Sequence, residues 1–225
     1  LAHFPALEYL DVTNNSIENL ENLPELPQLQ TLLLSSLDSA DYTPLQKQAF
    51  PKLAKLMLAG SGIDNLTNIQ HFKYLEDLNL SAYHLKDLRL LETLPHLKKL
   101  CLRRCNVTEN NLSQVHLPQL AFLNLDGSQF TNLQFLKNFP QLKELSLGNL
   151  SGSYEKISTD LSDLKAIALP HLETLDIHRT LPQDWQPLLE LQSLKKIIVT
   201  GRLIPKAIIQ QFEEKGVMVE DGDIW

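Results

Sequence analysis

Covalent or acid–base chemistry in this 225-residue sequence has to come from Cys101, Cys105, seven histidines and 27 carboxylates. A nucleophile works only with a base about 3 Å away, and a metal needs several ligands converging on one point. No His-Glu-x-x-His, paired Cys-x-x-Cys, glycine-rich phosphate loop or Gly-x-Ser-x-Gly occurs. The pairings that remain are Cys101 with His178 and Asp126 with His178, and each needs the fold to join distant segments. His96 and His171 follow prolines at the head of apolar segments and read as turn-surface residues. Recognition is a second kind of chemistry. Lys98, Lys99, Arg103 and Arg104 concentrate positive charge between Glu76 and Asp77 on one side and Asp126 on the other. They either grip an acidic partner segment through charge-assisted hydrogen bonds or are neutralised by their acidic neighbours as weak surface pairs.

The elements that position these residues follow from a repeat. The segment LxxLxL begins at Leu7, Leu29, Leu53, Leu75, Leu97, Leu120, Leu142, Leu172 and Leu194, in steps of 22, 24, 22, 22, 23, 22, 30 and 22 residues. Seven of the nine carry Pro two positions ahead: Pro5, Pro27, Pro51, Pro95, Pro118, Pro140 and Pro170. Each segment reads as a short strand whose fourth and sixth residues share an inward face, from Leu10 and Val12 to Ile197 and Val199. Strands returning in one direction every ~23 residues need crossovers, so the sheet is parallel and the superhelix right-handed. The leucine rows of one unit are covered only by its neighbours, giving one continuous apolar ridge.

The alternate residues then form rows across an outward, concave face. The middle row is Asp11, Leu33, Met57, Asn79, Cys101, Asn124, Ser146, Asp176 and Ile198. It is flanked by Tyr9, Thr31, Lys55, Asp77, Lys99, Phe122, Glu144, Thr174 and Lys196 before it, and by Thr13, Ser35, Ala59, Ser81, Arg103, Asp126, Gly148, His178 and Thr200 after it. At about 4.8 Å per strand, Cys101 stands roughly 14 Å from His178, and Asp126 is also too far from His178 for a direct bond. Catalysis therefore fails on spacing, and no enzyme activity, cofactor or metal is expected. Tyr9, Leu33, Met57 and Phe122 are apolar at exposed positions, either partner anchors or ordinary scattered surface apolars. The expected partner-binding face comprises Tyr9, Leu33, Met57, Asp77, Asn79, Lys99, Cys101, Arg103, Arg104, Phe122, Asn124, Asp126, Asp176 and His178.

On these motifs the chain resembles a leucine-rich-repeat horseshoe over residues 4–219. Apolar pairs such as Ile17 and Leu20, Ile63 and Leu66, Leu85 and Leu88, and Phe130 and Leu133 make it similar to the short-repeat phosphatase-regulator and internalin type. The resemblance implies an α/β solenoid with short, 3₁₀-rich convex segments and a non-catalytic role in binding a protein. It also implies two alternatives: a substrate-recognition part of a larger enzyme or bacterial effector, or an internalin-like surface adhesin. The sequence departs from the family at the ninth position, where Asn or Cys normally bonds turn backbone. Only Asn15 and Cys105 fit, and Leu37, Ser61, Tyr83, Ser128, Leu150, Thr180 and Arg202 stand elsewhere. An irregular ladder is expected, helped by Ser and Thr hydroxyls.

A net charge of −7 argues against general nucleic-acid or anionic-membrane binding, and no apolar run reaches spanning length. Cys101 faces outward and Cys105 inward, so no disulfide is expected and a reducing, cytoplasmic compartment is favoured over a secreted or bacterial-surface one. A single domain is expected over 1–225. Thr43 and Pro44 would start a helical turn over Leu45–Phe50, Gly148–Ile157 would form a turn-rich loop, and Thr159–Ala168 a helix capped by Ser158 or Thr159. A C-terminal cap is expected over 205–219: a helix from Pro205 to Lys215, Gly216 as its stop, and Val217–Val219 as an edge strand opposite Ile197–Val199. Glu220, Asp221 and Asp223 would discourage further edge pairing. Leu1–Phe4 reads as the tail of an earlier unit, with the N-terminal cap missing.

Overall fold

The computed structural model describes residues 4–15, 17, 20, 23–35, 45, 50–60, 69–82, 85, 87–128, 130–148 and 158–222. The apolar segments form β1 (Tyr9–Asp11), β2 (Thr31–Leu33), β3 (Lys55–Met57), β4 (Asp77–Asn79), β5 (Lys99–Cys101), β6 (Phe122–Asn124), β7 (Glu144–Ser146), β9 (Thr174–Asp176) and β11 (Lys196–Val199). With β12 (Met218–Asp221) they make one parallel sheet of ten strands in chain order, a leucine-rich-repeat solenoid. β8 (Ser158–Thr159) and β10 (Leu181–Pro182) form a separate parallel pair. Each main strand starts two residues after the leading leucine. The register has no slip, and the middle-row residues from Asp11 to Ile198 lie side by side and end at Glu220. Slipping one residue would turn every leucine outward.

The inward rows make the core. Leu32, Leu56, Leu78, Leu123 and Leu175 are fully buried at the fourth position, as are Leu34, Leu80, Leu102, Leu125 and Leu147 at the sixth. In the first unit Leu7, Leu10 and Val12 are only partly covered. The prolines ahead of the strands sit in a defined turn. Each leading leucine donates its N–H to the carbonyl three residues back, as in Leu29 to Leu26, Leu97 to Leu94 and Leu142 to Phe139 at 3.0, 3.2 and 3.2 Å. The Pro therefore stands second in a β-turn, the position its fixed φ favours. The first residue of that turn supplies a buried row that spacing alone did not reveal, including Leu26, Phe50, Phe72, Leu94 and Phe139.

A second turn closes each strand. Its backbone is left-handed at Asn14, Gly60, Ala82, Arg104, Gly127 and Arg179, with φ between 54° and 74°, and all six share the eighth position of their units. Glycine and asparagine suit that conformation, whereas Ala82, Arg104 and Arg179 hold it at a cost of roughly 1–2 kcal/mol each. At the ninth position Asn15 donates to the Val12 and Thr13 carbonyls, Cys105 to Leu80, Ser128 to Cys105 and Thr180 to Leu147. The mixed Asn, thiol and hydroxyl ladder is thus present. Leu37, Ser61, Tyr83 and Leu150 lie outside the described residues.

The outer side is built from short pieces: 3₁₀ turns at Ile69–His71, Arg89–Thr93 and Gln134–Asn138, and α1 (Glu109–Ser113), α2 (Asp163–Ala166) and α3 (Gln186–Leu189). α1 was not expected, although Thr108 and Asn111 form a capping box that marks its start. The expected helix over Thr159–Ala168 is shortened to α2. Ser158 and Thr159 belong to β8, and Asp160 accepts the Ser162 N–H at 2.8 Å in a turn that delays the helix. Asp163 then reaches the previous unit, accepting from the Leu133 N–H at 2.8 Å and from the Gln134 amide. Glu92 accepts the His116 N–H and Glu109 binds Thr131, so carboxylates bond neighbouring outer segments to each other. The expected helical turn over Leu45–Phe50, the pair Ile63 and Leu66, and the loop 149–157 fall outside the described residues, apart from Leu45 and Phe50.

Near the end of the chain, α4 (Lys206–Glu214) buries Phe212 and stops at Gly216, whose φ is 75°. β12 follows, displaced by two residues from the expected pairing: Ile197 faces Val219, not Val217. This keeps the 22-residue step of the other units. Two of the terminal acids, Glu220 and Asp221, also hold β12 to its neighbour. Glu220 pairs with Lys196 at 2.5 Å, and Asp221 accepts the Gly201 N–H at 3.1 Å. The left-handed position yields a stability prediction of known sign. Ala82→Gly raises unfolding stability by about 0.5–1 kcal/mol in a denaturant melt, whereas Ala121→Gly, at a position without positive φ, lowers it.

Candidate functional site

The concave face is set by what holds each strand end. Asp11, Asn79, Asn124 and Asp176 in the middle row accept the N–H two residues on, from Thr13, Ser81, Asp126 and His178, at 2.9–3.0 Å. Three of them, Asn79, Asn124 and Asp176, belong to the expected partner-binding face and have one oxygen engaged in ending their own strands. Cys101 lies against the Ser81 hydroxyl at 3.1 Å, and neither it nor buried Cys105 forms a disulfide.

Asp126, Asp176 and His178 gather, with Ser146, into a polar cluster at the ends of β6, β7 and β9. Asp126 is only 6% exposed. One of its oxygens receives the Ser146 hydroxyl at 2.5 Å and the Gly148 N–H at 2.8 Å, and the other the Asn124 amide at 3.2 Å. It is thus largely withdrawn from the open surface to which the strand pattern assigned it. His178 bonds Asp176 at 2.9 Å through Nδ1, and its ring lies over Gly148, where a Cβ would come within 2.4 Å of that nitrogen. Glycine is required there by this close approach. Asp126 and His178 thus meet across Gly148 without bonding directly. The Ser146 hydroxyl donates its hydrogen bond to a carboxylate, not to the imidazole, so the cluster does not form a hydroxyl–imidazole relay. Ser146 and Gly148 were absent from the sequence-based site, although their place between Asp126 and Asp176 in aligned rows was readable.

The histidine's acid–base behaviour follows from this geometry. The hydrogen bond to Asp176 raises its pKa above 6.5, burial opposes this, and the charges of Asp176 and Asp126 outweigh that of Arg179. Burial pushes the Asp176 carboxyl up, but the side-chain and backbone hydrogen bonds of His178, its charge and Ser146 together hold the group below 3.8.

The basic group and the apolar anchors differ in how far they are engaged or exposed. Lys98 pairs with Glu76 at 3.0 Å, and Asp77 pairs with Lys55 at 3.1 Å. Lys99, Arg103 and Arg104 are exposed, and none has an acidic partner among the described residues. Tyr9 is 55% exposed, and Leu33, Met57 and Phe122 are half-buried. Among the described residues no group of His, Cys, Asp or Glu is arranged to hold a metal ion, and no helix is long and apolar enough to cross a membrane.

A raised histidine pKa stabilises the fold below the unfolded value of about 6.5, and that contribution is lost as pH rises through the folded value. Thermal melts should therefore show the chain losing stability on the alkaline side of pH 6.5, a loss absent from His178→Gln.

No family model matches the sequence, and no curated protein matches it. Solved structures do. An internalin C2 from Listeria monocytogenes is 26% identical, with a TM-score of 0.68, over 88% of this chain and 83% of that one. An internalin F from the same species is 20% identical, with a TM-score of 0.61, over 95% of this chain and 66% of that one. A leucine-rich-repeat protein from Leptospira interrogans is 22% identical, with a TM-score of 0.68, over 98% of this chain and 57% of that one. The mouse RP105/MD-1 complex matches at 16% identity and a TM-score of 0.61, over 93% of this chain and 41% of that one. The ten-strand parallel ladder, the repeating turns on both sides of each strand and these likenesses make the chain a leucine-rich-repeat protein of internalin-like build.

Proposed function

We propose that the chain is a non-catalytic module that binds another protein on its concave sheet and the loops at the strand ends. The observation that carries this reading is the ladder of ten strands without a register slip, which fixes outward side chains on a rigid surface before any partner arrives. A preorganised surface avoids much of the ordering cost of association. Tyr9, Leu33, Met57 and Phe122 supply apolar contact area on that face, and Lys99 and Arg103 supply charge. The mouse structure of like fold, solved as a complex of RP105 with MD-1, supports a protein partner. That Cys101 and Cys105 stand as thiols, without a disulfide between them, favours action in a reducing compartment such as the cytoplasm. The likeness to two internalins favours, as a second reading, a surface adhesin that uses the same face.

The test places a photo-crosslinking amino acid at Leu33, at Met57, or at Leu90 on the outer side, and compares the adducts by mass spectrometry. One common partner captured from Leu33 and Met57 and not from Leu90 is the expected result. The double substitution Leu33→Glu, Met57→Glu should abolish that adduct while leaving the thermal midpoint nearly unchanged. Capture from Leu90 alone, or from none of the three, contradicts the proposal.

A further inference from the structure

The geometry points to the class of partner: Lys99, Arg103 and Arg104, with Phe122 beside them, form a site for an acidic protein segment that carries an apolar side chain. This rests on the concave face being the binding surface. The sequence left open whether Glu76, Asp77 and Asp126 neutralise the basic cluster, and in the structure each is engaged elsewhere and none forms an ion pair with Lys99, Arg103 or Arg104, although Asp77 stands in register beside Lys99. Glu76 is taken by Lys98 at 3.0 Å and Asp77 by Lys55 at 3.1 Å. Asp126 is nearly buried and receives Ser146, Gly148 and Asn124, and its field acts on His178. Three cations thus remain exposed together, without an acidic partner among the described residues, in a chain whose net charge is −7.

Their backbone positions are fixed. Lys99 begins β5 in register with Phe122 on β6. Arg103 lies past the end of the strand, its carbonyl bonded to the Ala82 N–H at 2.8 Å. Arg104 holds a left-handed turn with φ 54°, bonded through its N–H to the Asp126 carbonyl, and its side chain crosses Gly127. A larger residue at Gly127 would displace that arginine. Lys99 and Arg103 can be at most about 13 Å apart along the chain direction, within the span of an extended peptide with acids up to four residues apart. Arginine forks suit bidentate binding of carboxylates. The half-buried Phe122 ring lies in the neighbouring strand for an apolar side chain of the same segment.

Arg104 separates recognition from structure, because the residue best suited to its backbone is glycine. Arg104→Gly should raise the thermal midpoint and weaken acidic-peptide binding together, opposite to what a purely structural arginine would do.

The experiment measures fluorescence anisotropy of a labelled peptide of Asp and Glu interleaved with Leu and Phe. Its controls are the Asn/Gln counterpart and a single-stranded oligothymidine. The expected result is salt-sensitive binding of the acidic peptide alone, weakened at least tenfold in Lys99→Gln, Arg103→Gln and in Arg104→Gly. Four results overturn the inference: no binding by the unaltered chain, equal binding by the variants, equal binding of the neutral peptide, or preference for oligothymidine. If Leu33→Glu, Met57→Glu removes a cross-linked partner that Lys99→Gln, Arg103→Gln retains, the acidic class is wrong while the concave-face reading stands.

Discussion

Everything in this chain depends on the covering of one unit's leucines by the next. A three-residue strand buries almost nothing alone, and its fourth- and sixth-position side chains are shielded only by the equivalent residues on either side. That coupling forces a common register, because a strand shifted by one residue would present polar side chains to the ridge and leucines to water. The turns serve the same end. Proline in the turn before most strands and a left-handed residue after them fix where each strand starts and stops. At Ala82, Arg104 and Arg179 the backbone conformation is kept even though the side chain opposes it, so the geometry of the array prevails over local preference.

The same coupling explains what was legible. Periodicity of the leucines yields strand positions, register and face, because a repeat of 22 residues with LxxLxL at its head permits one arrangement. The outward rows came out in register as read, from Tyr9 beside Thr31 to Ile198 beside Asp176. What periodicity could not show is where outward side chains turn. Asp126 occupies a surface position in the pattern but bends toward Ser146 and the Gly148 N–H, because an adjacent hydroxyl, a side-chain-free residue and the Asn124 amide give its carboxylate three donors. Asn79 and Asp176 each turn one oxygen onto their own backbone. The helix expected from Thr159 was misplaced because a capping signal cannot tell whether Asp160 caps or turns, and β12 was misaligned because apolar matching ignored the 22-residue step.

The concave face is consequently of two kinds. Around β6, β7 and β9, polar groups satisfy one another and add stiffness more than reach. Around β5 and β6, the exposed Lys99, Arg103 and Arg104 and the half-buried Phe122 are held on fixed backbone, the cations without an acidic partner among the described residues. Recognition is better served by the second, since groups already satisfied within a fold gain little from a partner.

The central claim, that alternate side chains are divided between core and surface, is tested most directly by the chain's own two thiols. Cys101 stands in the outward middle row, whereas Cys105 is buried with its thiol directed to the Leu80 carbonyl. Timed iodoacetamide labelling of the folded chain, read by peptide mass spectrometry, should modify Cys101 and spare Cys105, with both reacting alike in denaturant. Labelling of Cys105 as fast as Cys101 in the folded chain, or equal protection of both, would contradict the account.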